Sequence, residues 1–459
     1  MPTQRAPLFG LAFLAALALS PALHAADGDL DPTFDGGAIR RVWGSDAATA
    51  TELEPLAGGE LLVGGTVDGP RRWAVAKFYD DGTLDIDWAT TFTPFGFGND
   101  GATTAGDVYD LARDASDRTL LLGWVEVGAG FERPALARLT AAGALDSAFG
   151  GNGLVIASPP PAGWTSLRVN DGKFLPDGGS VFVGSCEDCP TAGRSSAFIA
   201  KRLASGAADT SFSGDGWLSF TSDLDADNGG VAVALYENGR ILVVGGVTGF
   251  PFSEYFLARI TATGAFDGSF GGGDGITEAF TSGSLPRVRD VAIEPASGRI
   301  ALALRLSSGD PLEGAVEVFT AAGLEDTTFS GDGHVDLDLE EGSSIDAVAF
   351  QSDGKLLAVG NIDANGTQAG GFFLARMTTT GALDGSFDGN GVKRVEFDAA
   401  PDVDDRALVV TTSGGRLLAA GFAGPGGGDP QAFALLRTQN SSIFADGFER
   451  GTLGGWPGF

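Results

Sequence analysis

Residues Val231 to Gly246 read VAVALYENGRILVVGG, two apolar runs joined across Asn238-Gly239. An Asn-Gly pair between such runs is the turn of an antiparallel hairpin, because both residues tolerate the positive φ that a tight, twisted turn demands. Working outward, Phe256 to Ile260 (FLARI) supplies a third strand, which ends in a Thr-x-x-Gly turn. Behind it stands an anchor, Asp267 and Phe270, then glycines and a short polar run.

The same order recurs along the chain. The anchor aromatics are Phe34, Trp88, Phe149, Phe212, Phe270, Phe329 and Phe387, with gaps of 54, 61, 63, 58, 59 and 58 residues. Three positions before each stands an aspartate: Asp31, Asp85, Asp146, Asp209, Asp267, Asp326 and Asp384. Each copy thus carries about four strands with apolar residues on both faces. Such sheets cannot bury themselves alone and must stack on neighbours. No segment sustains a 3.6-residue period, which excludes a helical solenoid. The predicted fold is all-β, a seven-bladed β-propeller of four-stranded antiparallel blades.

The pattern also orders the strands. The alanine-rich runs (Val231 to Leu235, Val291 to Ile293, Ala347 to Phe350) carry small residues, which suits an inner strand at the crowded central axis. The strand after each anchor alternates, as in Val335, Leu337 and Leu339 against Asp336 and Asp338, which marks an outer edge. The chain begins with an anchor and outer strand within Leu30 to Val42 and ends on a third strand, Phe433 to Arg437. The N-terminal strand is therefore expected to complete the last blade and close the ring.

Glycine supplies 72 of the 459 residues and hydrophobic types 43%, too apolar for disorder and rich in turns. Residues 1–25 have the form of a Sec-type signal peptide: Arg5, an apolar run from Phe9 to Leu19, then small residues at Ala25 and Ala26. That implies a secreted or periplasmic protein without membrane insertion, with the propeller over 26–440 and a short tail over 441–459. The net charge of −31 argues against nucleic acid as a partner, since a phosphate backbone would be repelled.

The unit resembles the delta-60 repeat family of exported bacterial proteins. AVAFQSDGKLLAVG at Ala347 to Gly360 and FFLARMTTTGALDGSF at Phe372 to Phe387 carry the resemblance best. It implies a propeller-like fold and export, and it brings no catalytic residues. The copies depart from it locally, at Trp88 with the insertion after it and at Ala315 to Phe319 (AVEVF).

Chemistry is sparse. The sequence beyond the signal holds one histidine, His334, at the place of Leu154 and Val392 in other copies, which argues for a structural role. Cys186 and Cys189 are expected to form a disulfide pinching one loop. The seven anchor aspartates are expected to fix turns, since a function present once would not recur seven times. The variable loops should share one face. There, Asp223, Asp225 and Asp227 resemble part of a calcium loop, and Trp164, Phe250, Phe252 and Tyr255 are candidate contacts for a ligand. Glu340, Glu341, Asp402, Asp404 and Asp405 add acid to the same face. The function expected is a non-enzymatic binding or scaffold module for a glycan or an extracellular protein, monomeric, with calcium as the one candidate ion. The alternatives are a carboxylate-dependent glycosidase or polysaccharide lyase, which inward axial carboxylates would favour, and a purely structural surface protein.

Overall fold

A computed structural model describes residues 27–439, apart from 42–45, 70, 89–94, 97–103, 129–130, 190–192, 223–226, 250–251, 280–285, 307–312, 338, 340–341, 363–370, 398–404 and 425–430. Residues 1–26, with the expected signal peptide, and the tail beyond residue 439 lie outside this range. Seven antiparallel sheets follow one another, and all but the last are laid out from inner to outer strand in chain order. Their inner strands are Ala48–Pro55, Thr104–Arg113, Ser166–Phe174, Asp227–Leu235, Pro286–Ile293, Ser343–Phe350 and Arg406–Ser413, which we number as blades 1 to 7. Each inner strand packs on the next, and that of blade 7 packs on that of blade 1, so the ring is closed. This is the seven-bladed propeller that the repeat predicts.

Closure uses the N-terminal strand. Ala38–Arg41 pairs antiparallel with Ala432–Thr438, Ala38 opposite Leu436 and Arg41 opposite Phe433, and forms the outer strand of blade 7. Blade 1 has three strands among the described residues, with a single bridge from Trp73 to Phe95 on its outer side. It is the copy interrupted by the insertion after Trp88.

The anchors explain their own recurrence. Each aspartate accepts a backbone N–H from two residues on, as from Thr33 to Asp31, Ala148 to Asp146, Ser211 to Asp209 and Ser386 to Asp384. Its other oxygen holds a cation from the third strand: Lys77 for Asp85, Arg138 for Asp146, Lys201 for Asp209, Arg259 for Asp267, Arg376 for Asp384 and Arg437 for Asp31. In blade 5, where AVEVF replaces the usual strand, Arg299 reaches Asp326 from the turn before the second strand instead, at 2.7 Å. The arginines then lie over the anchor rings, Arg138 at 4.7 Å from Phe149 and Arg259 at 4.6 Å from Phe270. The aromatics are buried between blades. Turn, ion pair and inter-blade packing thus depend on one Asp-x-x-Phe signal.

Neighbouring blades are also stitched through their turns. The Ser213 N–H donates to Thr263 O and the Ser330 N–H to Thr380 O, in each case the Thr-x-x-Gly turn of the next blade. At the joint between blades 6 and 7 the N-terminus takes that part. Asp388 N–H donates to Asp27 O at 2.7 Å, and the Asp27 carboxylate meets Arg376 at 2.8 Å, both side chains buried. The segment that begins at Asp27 is therefore a joint as well as a strand.

Candidate functional site

Each inner strand carries a β-bulge at the same height. The unpaired residues are Thr51, Tyr109, Asn170, Val231, Arg289, Asp346 and Leu408. Opposite the residue before the bulge, six of the seven second strands place a glycine: Gly65, Gly123, Gly184, Gly245, Gly360 and Gly421. The close approach demands it, because a Cβ on Gly184 would lie 1.8 Å from the Arg168 carbonyl oxygen. Bulges re-aim side chains, and here they aim them at the axis and the next blade. Thr51 Oγ1 donates to Val108 O, Tyr109 OH to Val169 O and Asn170 Nδ2 to Gly230 O. Later in the ring the link is ionic: Asp346 takes Arg289 of blade 5 at 3.0 Å and Arg406 of blade 7 at 2.6 Å.

The residue after each bulge decides the chemistry of the axis. It is Glu52, Asp110, Asp171, Ala232, Asp290, Ala347 and Val409. Three of the four acids hold the neighbouring inner strand: Asp110 accepts the Phe174 N–H at 2.6 Å, Asp171 the Val233 N–H at 2.8 Å and Asp290 the Val348 N–H at 2.9 Å. Acids thus stand among the small residues expected at the crowded axis. The bulge shifts the side-chain phase of the strand, so acids that read as one face of a strand meet at the centre.

Glu52, Asp171, Asp290, Ala347 and Val409, together with the bulge residues, line an axial cavity of about 570 Å³. Its lining begins with Thr49, Arg71 and Asp107, which the connectivity puts on the variable-loop side, and continues past Val291 and Val410 to Lys173, the last residue but one of its strand. Arg71 is paired with Asp107. Lys173 stands in the carboxylate ring, its Nζ 3.8 Å from Glu52 and 4.0 Å from Asp110, and it donates to Tyr109 O at 3.4 Å. Burial pushes Asp171 up to about 7, against the pull of Lys173. Burial also raises Glu52 well above the carboxylate range, with Asp110, Asp171 and Asp290 adding to it against Lys173. Asp110 and Asp290 are raised by burial as well. Burial alone would lower Lys173, but the four carboxylates hold it above its ordinary value. The axis is a low-dielectric site with more carboxylates than cations.

The residues singled out from sequence fall elsewhere. Tyr255 is 1% exposed and packs edge-on against Phe319, so it fills the core between blades 4 and 5 rather than the rim. Trp164 is half-buried against Trp217 and Phe198, with centroids 5.4 and 6.1 Å away. Phe250, Asp223 and Asp225 lie outside the described residues, as does the side chain of Phe252. Asp227 is exposed and accepts the Ser195 N–H at 3.1 Å. Among the described residues no group of three His, Cys, Asp or Glu side chains is placed to hold a metal ion. Glu340, Glu341, Asp402 and Asp404 are likewise outside, while Asp405 is buried and accepts the Phe397 and Gly424 N–H groups. Cys186 and Cys189 are joined as a disulfide. His334 begins an outer strand between Glu317 at 3.1 Å and Asp336 at 2.8 Å. Those two hydrogen bonds, Glu317 first, lift it to about 9 despite burial.

Fold and axis define a β-propeller repeat protein. Residues 115–149, 237–270 and 351–387 match the family described as a domain of unknown function (DUF5122) beta-propeller. No curated protein matches the sequence. Among solved structures the chain is similar to the polysaccharide lyase Uly1, at 12% identity over 85% of this chain and 90% of that one, with a TM-score of 0.48. It is also similar to an α-L-arabinofuranosidase from Fusarium graminearum, at 11% identity over 91% and 97% of the two chains, TM-score 0.41. Regucalcin from Agrobacterium tumefaciens, a calcium-binding protein, matches at 13% identity over 72% and 91%, TM-score 0.35. Likenesses this distant transfer no residue and no activity. No helix among the described residues is long and apolar enough to cross a membrane.

Proposed function

We propose that this protein is an exported, non-enzymatic binding module of the delta-60 repeat type that takes a polar ligand, of the glycan class, at its axial mouth on the variable-loop face. The axial cavity supports this reading, because it gathers polar side chains that occur once in the ring, Lys173 and the Arg71–Asp107 pair, beside groups that recur. Mixed charges and hydroxyls around a concave site suit a hydrated, hydroxyl-rich ligand. Export is supported by the N-terminal sequence pattern, and the acidic loop around Asp227 is where calcium would assist. The test is a glycan array on the purified protein, run with calcium and with EDTA, beside the variants Asp107→Ala and Arg71→Ala. Binding that both substitutions weaken at least tenfold supports the reading; a hit unchanged in both moves the site off the axis.

One observation favours a second reading, a carboxylate-dependent glycosidase. Asp171 is lifted to about 7 by burial, which leaves a proton available near neutrality. Against it, both Asp171 oxygens already accept backbone N–H groups, from Gly172 and Val233. Release of reducing ends from a glycan bound on the array, abolished by Asp171→Asn, would establish it.

A further inference from the structure

The axial reading can be taken one step further, to the charge of the ligand, and the inference rests on that reading. Arg71 answers Asp107, Arg289 and Arg406 answer Asp346, and Lys173 lies nearest Glu52 and Asp110. Asp171 and Asp290 are left with backbone donors and no cation within ion-pair distance among the described residues. Glu52 has no hydrogen-bond donor among them either, and Lys173 stands off at 3.8 Å. A second, separate observation comes from the chain itself. It already places one ammonium in this ring, that of Lys173, and the cavity of about 570 Å³ leaves room for another group beside it.

We propose that the axial cavity binds a small organic cation bearing a primary ammonium, with Asp171, Asp290 and Glu52 as its counter-charges. An ammonium supplies three donors to carboxylates that have lone pairs to spare, and it restores charge balance where solvent is scarce. The hydroxyl-bearing Thr49, Thr51 and Thr411 on the same lining would contact the rest of the ligand. A free polyamine and an amino sugar share this chemistry, and the two are separable by experiment.

Binding must be linked to protons. The groups facing the site are Glu52 of blade 1, Asp107 and Asp110 of blade 2, Asp171 and Lys173 of blade 3, Arg289 and Asp290 of blade 5, Asp346 of blade 6, Arg406 of blade 7, and Arg71. Blade 4 offers Val231 and Ala232. Asp171, lifted to about 7, is half-protonated near neutrality in the free protein and loses its proton when a cation arrives, so affinity rises from pH 6 to 8 with proton release.

The experiment is titration calorimetry of the purified protein with putrescine, with a chitosan tetramer and with neutral cellotetraose. It is run at pH 6 and 8 in two buffers of different ionisation enthalpy. Expected are heats from at least one amine and none from cellotetraose, at least tenfold tighter putrescine binding at pH 8, and at least tenfold loss in both Asp171→Asn and Asp290→Asn, the two amines being compared at pH 6, where both carry ammonium groups. Asparagine keeps an acceptor for the Val233 and Val348 N–H groups, and thermal melts establish that the variants fold. Lys173→Met, which removes the internal competitor, should bind the amine more tightly. Tighter binding of putrescine than of the tetramer assigns the site to free amines, and the reverse to amino sugars. Cellotetraose binding that depends on Asp171 overturns the cation inference and leaves the axial site standing. No dependence of any binding on these residues, or no binding at all, overturns both.

Discussion

Replacing Asp27 tests whether the first described residue of the chain is part of the ring. Its carboxylate contacts Arg376, a fully buried guanidinium that also holds Asp384 at 2.9 Å and Ser386 at 2.9 Å. Removing one partner of a buried ion pair typically costs about 3–5 kcal/mol. Arg376 keeps a second carboxylate, so Asp27→Ala should cost less, about 2–3 kcal/mol. Over ~410 residues the unfolding entropy is about 0.9 kcal/mol per degree, so a cooperative melt would move by only about 3 °C.

The sharper assay is local. The amides of Ala432–Thr438 that pair with the N-terminal strand should exchange hydrogen about 30- to 160-fold faster, while those of blade 4 stay unchanged. Asp27→Asn should recover most of the loss. At the joint below blade 5 the corresponding arginine, Arg259, is satisfied by a neutral acceptor, the Ala321 carbonyl at 2.6 Å. Exchange in Asp27→Ala indistinguishable from the parent would refute the assignment of the N-terminus as a joint.

Three further outcomes are expected. The folded pKa of His334, about 9, lies above its unfolded value of about 6.5, so its stabilisation is whole below pH 6.5 and lost as pH rises through 9. With a quarter of the side chain exposed, we expect His334→Gln to cost about 1–2 kcal/mol in urea melts at pH 6 and nothing at pH 10. Replacing Cys186 and Cys189 by serine opens a loop with a separation of three residues and should lower stability by about 2 kcal/mol, as should dithiothreitol on the parent. Gly184→Ala forces a methyl onto the Arg168 carbonyl and should cost more than about 3 kcal/mol by denaturant melt, whereas Gly246→Ala, with nothing within 4 Å, should cost under about 1 kcal/mol.

Much of the fold was legible because it depends on features that recur. The Asp-x-x-Phe anchor could be counted to seven, and the Asn238-Gly239 turn fixed the hairpin beside it. The missing outer strand at the C-terminal end implied the N-terminal clasp. What escaped was the second use of each signal. Nothing in a single copy says that the arginine of the third strand pairs with the anchor aspartate and stacks on its ring. Only the fifth copy gives a hint, by lacking it. Asp27 escaped because the chain start belongs to no copy.

The axial site was hidden by the bulge, for a definite physical reason. A one-residue bulge breaks the period of two, so alternation along Ser166–Phe174 cannot say which side chains reach the axis. The glycine opposite it was the available signal. It recurs in six copies without being in a turn, and a mid-strand glycine marks a bulge or a close backbone approach. With that register in hand, the position two residues beyond Asp171 is alanine in blades 2, 4, 5 and 6: Ala112, Ala234, Ala292 and Ala349. Blade 3 has Lys173 there and blade 1 has Glu54, which burial lifts to about 7. In a repeat protein the common residues build the ring, and a function exercised once must be sought where one copy breaks the rule. Lys173 breaks it by replacing a methyl with a cation on the axial cavity, and the cost of burying that cation is offset by carboxylates that also serve to hold the blades together.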